Sequence, residues 1–268
     1  MIFYLHSILS KLKIGTTERE EIEKVRKERE SFIISTYNGK KPLNLLEGIV
    51  GQENAIRALK RALFDSNPKH VILYGPVEAE KKIVTKLIFQ SAKLENKNFF
   101  RVNSKFVEVD CTTLGPNLGI DKNPLMGSVD YLIHKNIDTG ESIKIPQPIL
   151  GAYTKANKGI LFLSQIENLN FDQYRSLLKV LREGKVFIQS PYYNTTSEYI
   201  PDHIHRVFQK GLDADFRLVA STSVSPGDIP VELRSQCIEI YFRPLNKEEI
   251  DDSIKNICIK GGLRLERN

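Results

Sequence analysis

The sequence predicts an α/β fold, a parallel sheet covered by helices on both faces. Three observations carry that expectation. Apolar runs of strand length recur at 71–74, 106–109, 160–163, 217–220 and 238–242, with helical patterns between several of them. The run Ile160-Leu-Phe-Leu163 is apolar at every position, as in a strand buried on both sides. Finally, the stretch from Val71 to Lys82 leaves an apolar strand at Gly75-Pro76 and resumes as a helix at Ile83. That is the layout in which backbone N–H groups at a helix N-terminus meet phosphate.

At 268 residues the chain has material for one large or two small domains. Hydrophobic content of 41% and charged content of 27% are ordinary for a soluble globular protein. The net charge of +6 permits nucleic acid or an acidic partner. No aromatic-rich basic motif points to nucleic acid, and a solvated lysine-rich surface is the plainer account. Cys111, Cys237 and Cys258 are far apart, odd in number and without a Cys-x-x-Cys pair. They read neither as a metal set nor as a disulfide framework, and they fit a reducing, cytoplasmic setting. The apolar start, Met1 to Leu9, is far short of the ~20 residues that span a bilayer, and it lacks a small-residue cleavage site. With Lys11 and Lys13 it is at most a weak surface anchor. A short helix packed on the body is the simpler reading.

In chain order, Thr17-Glu18-Arg19-Glu20 has capping-box spacing and opens a charged helix to about Glu30. It leads into a linker at Asn38-Gly-Lys-Lys-Pro42, so 1–42 forms an N-terminal unit of charged helix and linker. Gln52 to Phe64 is an amphipathic helix with Ile56, Leu59 and Leu63 on one face. After the strand 71–74, a helix turns Ile83, Val84, Leu87 and Ile88 inward. Residues 111–150 have several Gly and Pro and little periodicity, which reads as a long, functional loop. Asp172 is placed to cap a helix carrying Tyr174, Leu177, Leu178 and Leu181, closed by Gly184. Val186-Phe-Ile188 and Tyr192-Tyr193 suggest a hairpin or a further insertion. From Asn246 another helix begins.

The candidate chemistry is altered at nearly every position. The phosphate-loop template is Gly, four residues, then Gly-Lys-Ser/Thr. Gly75 and Lys81 are in register, but Glu80 stands at the second glycine and Lys82 at the hydroxyl residue. Nucleotide hydrolysis also needs a strand that ends in two acids, one holding Mg²⁺ and one directing water. The strand 160–163 ends in Ser164-Gln165. Serine offers a divalent ion no charge, and glutamine accepts no proton at neutral pH. Glu167 is a substitute only if the backbone re-aims it. His203 and His205, two apart, suggest packing or an interface before metal.

Several segments together resemble the AAA+ module of Lon proteases, on the LonB branch associated with sporulation in Gram-positive bacteria. They are Ile49-Val-Gly-Gln-Glu53, Tyr74-Gly-Pro76, Gly159-Ile-Leu-Phe-Leu163, Leu177-Leu-Lys-Val-Leu181, and Pro201-Asp-His-Ile-His205 through Ala214-Asp-Phe-Arg-Leu218. The resemblance runs from about Leu45 to Leu245, and 186–218 is its most family-specific part. It implies a P-loop-type parallel five-stranded sheet sandwiched by helices, with loop or hairpin insertions. It also implies a large α/β subdomain over 43–245 and the start of a helical lid over 246–268, with most of the lid and the protease domain beyond. Carried over by position, Gly75, Pro76, Glu78, Glu80, Lys81 and Lys82 are the nucleotide-binding (Walker A) segment. Ser164 and Gln165 take the Walker B positions, Thr222 the sensor-1 position and Gln236 that of the arginine finger. Leu125, Met126, Gly127 and Ser128 resemble a pore-facing segment. The resemblance implies ATP and Mg²⁺ as cofactors, with a AAA+ ring neighbour or a LonB-like protease as partner.

The replaced residues are those that carry the chemistry, so the expectation is a pseudo-ATPase acting as scaffold or regulator. An arginine finger alone is worth ~10³–10⁵ in rate in related phosphoryl-transfer enzymes. Lys81 and Lys82 are expected to pair with Glu78 and Glu80, which would neutralise the pocket internally. Two rival readings are a working ATP-hydrolysing module of a proteolytic complex and a basic nucleic-acid-binding module.

Overall fold

The computed structural model describes residues 51–76, 80–94, 99–115, 122–135, 142–197 and 199–250. The expected N-terminal unit, Glu78, Cys258 and most of the expected lid segment lie outside these residues. In chain order the elements are α1 (Glu53–Phe64), β1 (His70–Tyr74), α2 (Lys81–Leu94), β2 (Phe106–Asp110), β3 (Lys122–Asn123), β4 (Gly127–Lys135) and β5 (Ser142–Leu150). Then come α3 (Ala152–Lys155), β6 (Ile160–Ser164), α4 (Phe171–Glu183), β7 (Lys185–Val186), α5 (Asp202–Lys210), β8 (Leu212–Asp213), β9 (Arg217–Thr222), α6 (Val231–Arg234) and β10 (Cys237–Tyr241).

Five strands form one sheet in the order β10-β1-β9-β6-β2, and every pairing in it is parallel. Parallel neighbours need crossover connections, and helices in those crossovers cover both faces. Period-two alternation sorts the side chains. Val71 and Leu73 of β1 enter the core with Leu59 and Leu63 of α1 and Val84, Leu87 and Ile88 of α2. Ile72 and Tyr74 enter the opposite core with Tyr153 of α3 and Leu177 and Val180 of α4. The predicted α/β class and its five strands are present.

α4 is capped by Asn170, not by Asp172. The Asn170 side chain accepts from the Gln173 N–H while Gln173 accepts from the Asn170 N–H. Asp172 lies in the first turn, where its charge favours the helix dipole. Gly184 ends the helix with φ 64°, in the left-handed region glycine adopts cheaply.

The stretch read as a loop over 111–150 contains a three-stranded antiparallel ribbon, β3-β4-β5. Pro146 and Pro148 in β5 argued against a strand, but β5 is an edge strand, where a missing N–H is tolerated. Further on, Val186 does pair, but with Leu212 of β8; residues 187–197 carry no strand. Tyr193 instead stacks on Phe208 of α5 at 4.4 Å and lies 3.0 Å by its hydroxyl from His205 Nδ1. His205 is therefore a packing residue of the α5 face.

Candidate nucleotide site

The carboxyl ends of the sheet strands come together at one edge, the position where open α/β sheets place ligands. Register sets the neighbours: Tyr74 is opposite Thr222, Ser164 opposite Ser221, and Asp110 opposite Ser164. The segments matched to Walker A, Walker B and sensor 1 therefore share this edge.

The loop after β1 begins at Gly75, whose φ is 136°. A side-chain carbon there would lie 2.2 Å from the Phe242 carbonyl oxygen, so only glycine fits the approach of β1 to the chain leaving β10. Glu80, at the position of the template's second glycine, has φ 49°. The backbone thus keeps a conformation suited to glycine while carrying a carboxylate, at a cost of roughly 1–2 kcal/mol. α2 begins at Lys81 rather than Ile83.

Lys81 is 6% exposed and turns back on its own loop. Its Nζ donates to the Gly75 carbonyl at 2.5 Å and to the Pro76 carbonyl at 2.7 Å. Its own carbonyl accepts from Thr85 Oγ1 at 2.7 Å, which ties the first turn of α2. Lys82 reaches Glu108 on β2 at 2.9 Å, a partner the sequence did not indicate. Glu78 lies outside the described residues.

Ser164 ends β6, and its hydroxyl is 3.5 Å from the Val109 carbonyl, the outer limit of a hydrogen bond. Gln165 follows with φ 52° and ψ 54°, turning the chain into the short 3₁₀ segment Ile166–Asn168. That turn swings Glu167 away from simple strand alternation. Its Oε1 is 3.4 Å from the Ser223 hydroxyl, and its Oε2 is buried with no hydrogen-bond partner. Thr222 is 2% exposed and accepts the Val224 N–H on Oγ1 at 3.2 Å. Asp110 is occupied as the cap of Thr112, accepting from its N–H and hydroxyl.

Of the residues gathered here, Glu167, with its unpartnered Oε2, is the one that offers Mg²⁺ an anionic oxygen. Neither Ser164 nor Gln165 supplies the anionic oxygen this ion prefers, and Asp110 is committed to its turn. Among the described residues no group of three or more His, Cys, Asp or Glu could hold a metal ion.

Gln236 lies just beyond α6, and its amide is 3.4 Å from the Glu232 carbonyl. Leu125 to Ser128 form the base of the ribbon rather than a free loop. Leu125 is 1% exposed, and its N–H and that of Met126 both bond to Asn123 Oδ1. Met126 packs against the same core, Gly127 is buried, and Ser128 pairs with Lys122 and Ile149. Leu125 thus faces the core. Among the described apolar residues of the ribbon, Leu132 and Ile133 are the most exposed, at 61% and 59%.

Two contributors escaped the sequence reading. Gln52, within the Ile49–Glu53 motif, is buried and donates to the Arg243 carbonyl at 2.7 Å. This joins the start of the described chain to the segment after β10. Glu239 on β10 gathers Arg234, Tyr74 and Tyr241. A charged residue on an edge strand carries no sequence signal of such a hub.

No family model matches the chain. It is 38% identical over 258 residues to Lon protease 2 of Bacillus subtilis, covering 96% of this chain and 46% of that protein. It is 23% identical over 233 residues to a signal-transduction and transcriptional-control protein of Clostridium beijerinckii, covering 83% of this chain and 31% of that protein. The chain thus spans less than half the length of the relatives it matches. Among solved structures it resembles NtrX of Brucella abortus, with a TM-score of 0.52 at 16% identity over 92% of this chain and 49% of that chain. The NtrX complexes with ADP and ATP give TM-scores of 0.52 and 0.51. At that identity the likeness speaks for the fold alone. The Lon relative, aligned across nearly the whole chain, together with the five-stranded sheet and the loop after β1, supports a Lon-type AAA+ module of the LonB branch.

Proposed function

We propose that this chain is a pseudo-ATPase of the Lon AAA+ type, which keeps the architecture of a nucleotide module without its hydrolytic chemistry. In this reading it is a scaffold or regulatory subunit that assembles with an active, LonB-like AAA+ neighbour. Its Walker A segment runs from Gly75 to Lys82, its Walker B positions are Ser164 and Gln165, its sensor-1 position is Thr222 and its finger position is Gln236. Cytoplasmic residence and a link to sporulation follow from the same family reading.

The observation that carries the proposal is Lys81. A lysine that would otherwise reach nucleotide phosphates is buried on the carbonyls of Gly75 and Pro76. Hydrogen bonds to a charged group are worth about 1.5–3 kcal/mol each, so ATP would have to displace contacts already made. The absence of acids at 164 and 165 removes the partners of Mg²⁺ and of the attacking water.

The test measures γ-phosphate release by the purified chain and titrates ATP by calorimetry with and without Mg²⁺. The expected outcome is background hydrolysis and no micromolar binding. Turnover at a rate typical of AAA+ ATPases, abolished by Gln165→Ala, would overturn the proposal.

A further inference from the structure

β10 ends the sheet on one side, and among the described residues no strand pairs with its outer edge. The Phe242 N–H donates to the Tyr74 carbonyl. Alternation from there turns the backbone groups of Ile238 and Ile240 toward β1 and those of Cys237, Glu239 and Tyr241 outward. The side chains along this edge leave apolar surface open on both faces of the sheet. Ile238, 41% exposed, shares the face on which Ile240 enters the core with Leu59 of α1, and Tyr241, 58% exposed, lies on the other. Open edges are commonly blunted by proline or by free charge. β5 follows that rule with Pro146 and Pro148. β10 has no proline, and its single charge, Glu239, is held by Arg234 at 2.5 Å and by the Tyr241 hydroxyl at 3.1 Å. An edge of this make favours pairing.

The chain enters the described structure beside that edge. Gln52 Nε2 donates at 2.7 Å to the carbonyl of Arg243, two residues past the end of β10. Upstream, and outside the described residues, Phe32, Ile33 and Ile34 are strand-favouring and apolar at three consecutive positions. Such a run suits a strand covered on both faces. Sixteen residues separate Ile34 from Gly51. At about 3.3–3.6 Å per extended residue they reach either end of β10, itself roughly 17 Å long.

We propose that residues 31–36 add to the outer edge of β10 as a sixth strand of the sheet. Their backbone takes up the outward N–H and C=O groups of Glu239 and Tyr241, and Phe32 to Ile34 cover Ile238 on one face and Tyr241 on the other. The N-terminal unit is thereby fastened to the strand whose far end closes against Gly75. This pairing is independent of whether the chain hydrolyses ATP.

The experiment records amide hydrogen exchange by NMR on the full chain at two protein concentrations, for the parent and for Ile33→Pro/Ile34→Pro. One of two adjacent prolines must face β10 and remove a ladder donor. The Glu239 and Tyr241 amides are expected to exchange slowly in the parent at both concentrations. In the variant those two should speed up by at least about tenfold while Leu73 and Ala220, inside the sheet, keep the parent's rates. Cross-strand NOEs between residues 31–36 and 237–241 of the parent give a second reading that needs no variant. Fast exchange at Glu239 and Tyr241 in the parent, equal protection in parent and variant, or absence of those NOEs would each overturn the pairing. Protection that rises with protein concentration would assign the edge to a second copy of the chain and overturn it as well.

Discussion

The ammonium of Lys81 lies 2.5 Å from the carbonyl oxygen of Gly75, the residue that opens its own loop. With Pro76 as second acceptor, the cation is satisfied by peptide dipoles at a buried point beneath the helix start. The described backbone on either side has positive φ at Gly75 and a left-handed conformation at Glu80. In the reading proposed above, this lysine serves the structure of its own loop in place of a phosphate.

That assignment predicts an unusual response to substitution. Lys81→Ala should lower unfolding stability by roughly 1–3 kcal/mol, because two carbonyls lose a charged donor in a buried setting. It should leave nucleotide affinity, measured by calorimetry, where the parent chain has it. A working phosphate loop behaves in the opposite way, losing affinity and keeping stability, and that pattern would refute the structural role.

Leu125 tests the base of the ribbon. Its side chain is packed in the core shared with Ala152, Tyr153 and Leu163. Leu125→Ala should cost about 2–4 kcal/mol in denaturant unfolding through the lost burial and the cavity left behind. Leu132→Ala, at an exposed position of the same ribbon, should change stability by less than about 0.5 kcal/mol. Equal costs at the two positions would contradict the placement of Leu125.

Much of the sheet was legible because burial on both faces writes continuous apolar runs such as Ile160–Leu163, and because the helices carry a 3.6-residue stripe. The ribbon was not legible. Its apolar residues at Val129, Tyr131, Leu132 and Ile133 break the alternation of a half-buried strand, and Pro146 and Pro148 read as punctuation. The candidate site was legible as a set of replaced residues, since Glu80, Lys82, Ser164 and Gln165 can be compared with a template one by one. Where those side chains went was not. Lys82 chose Glu108, which is 26 residues away, and spacing along a chain carries no record of a contact made across the sheet.

Arg217 holds the opposite end of the sheet. Its Nε donates to the Pro68 carbonyl at 2.6 Å, Nη1 pairs with Asp215 at 2.7 Å, and Nη2 reaches Asn67 Oδ1 at 3.2 Å. The guanidinium also lies 3.9 Å from the Phe99 ring centroid. Arg217→Ala should destabilise by about 2–4 kcal/mol, and Arg217→Lys should recover little of it. An ammonium has neither the planar fork nor the stacking surface. Thermal unfolding of the two variants checks this, and full rescue by lysine would show that charge alone matters.

His70, the first residue of β1, makes stability depend on pH. Its Nδ1 accepts the Leu218 N–H at 3.1 Å, so the ring is neutral there and a proton on Nδ1 would break the bond. Burial first, then the nearby Arg217 and Lys69, lower its pKa from 6.5 to about 4, with Asp215 opposing. Between those values the unfolded chain binds a proton that the folded chain does not. The contribution is therefore complete above about pH 6.5 and is lost as pH falls toward 4, amounting to at most about 3 kcal/mol. In His70→Asn, Oδ1 can accept the same N–H without titrating. Melting temperatures from pH 7.5 to 4 should accordingly drop more steeply for the parent chain than for the variant. Parallel curves would mean that His70 carries its proton in the fold as readily as in solution.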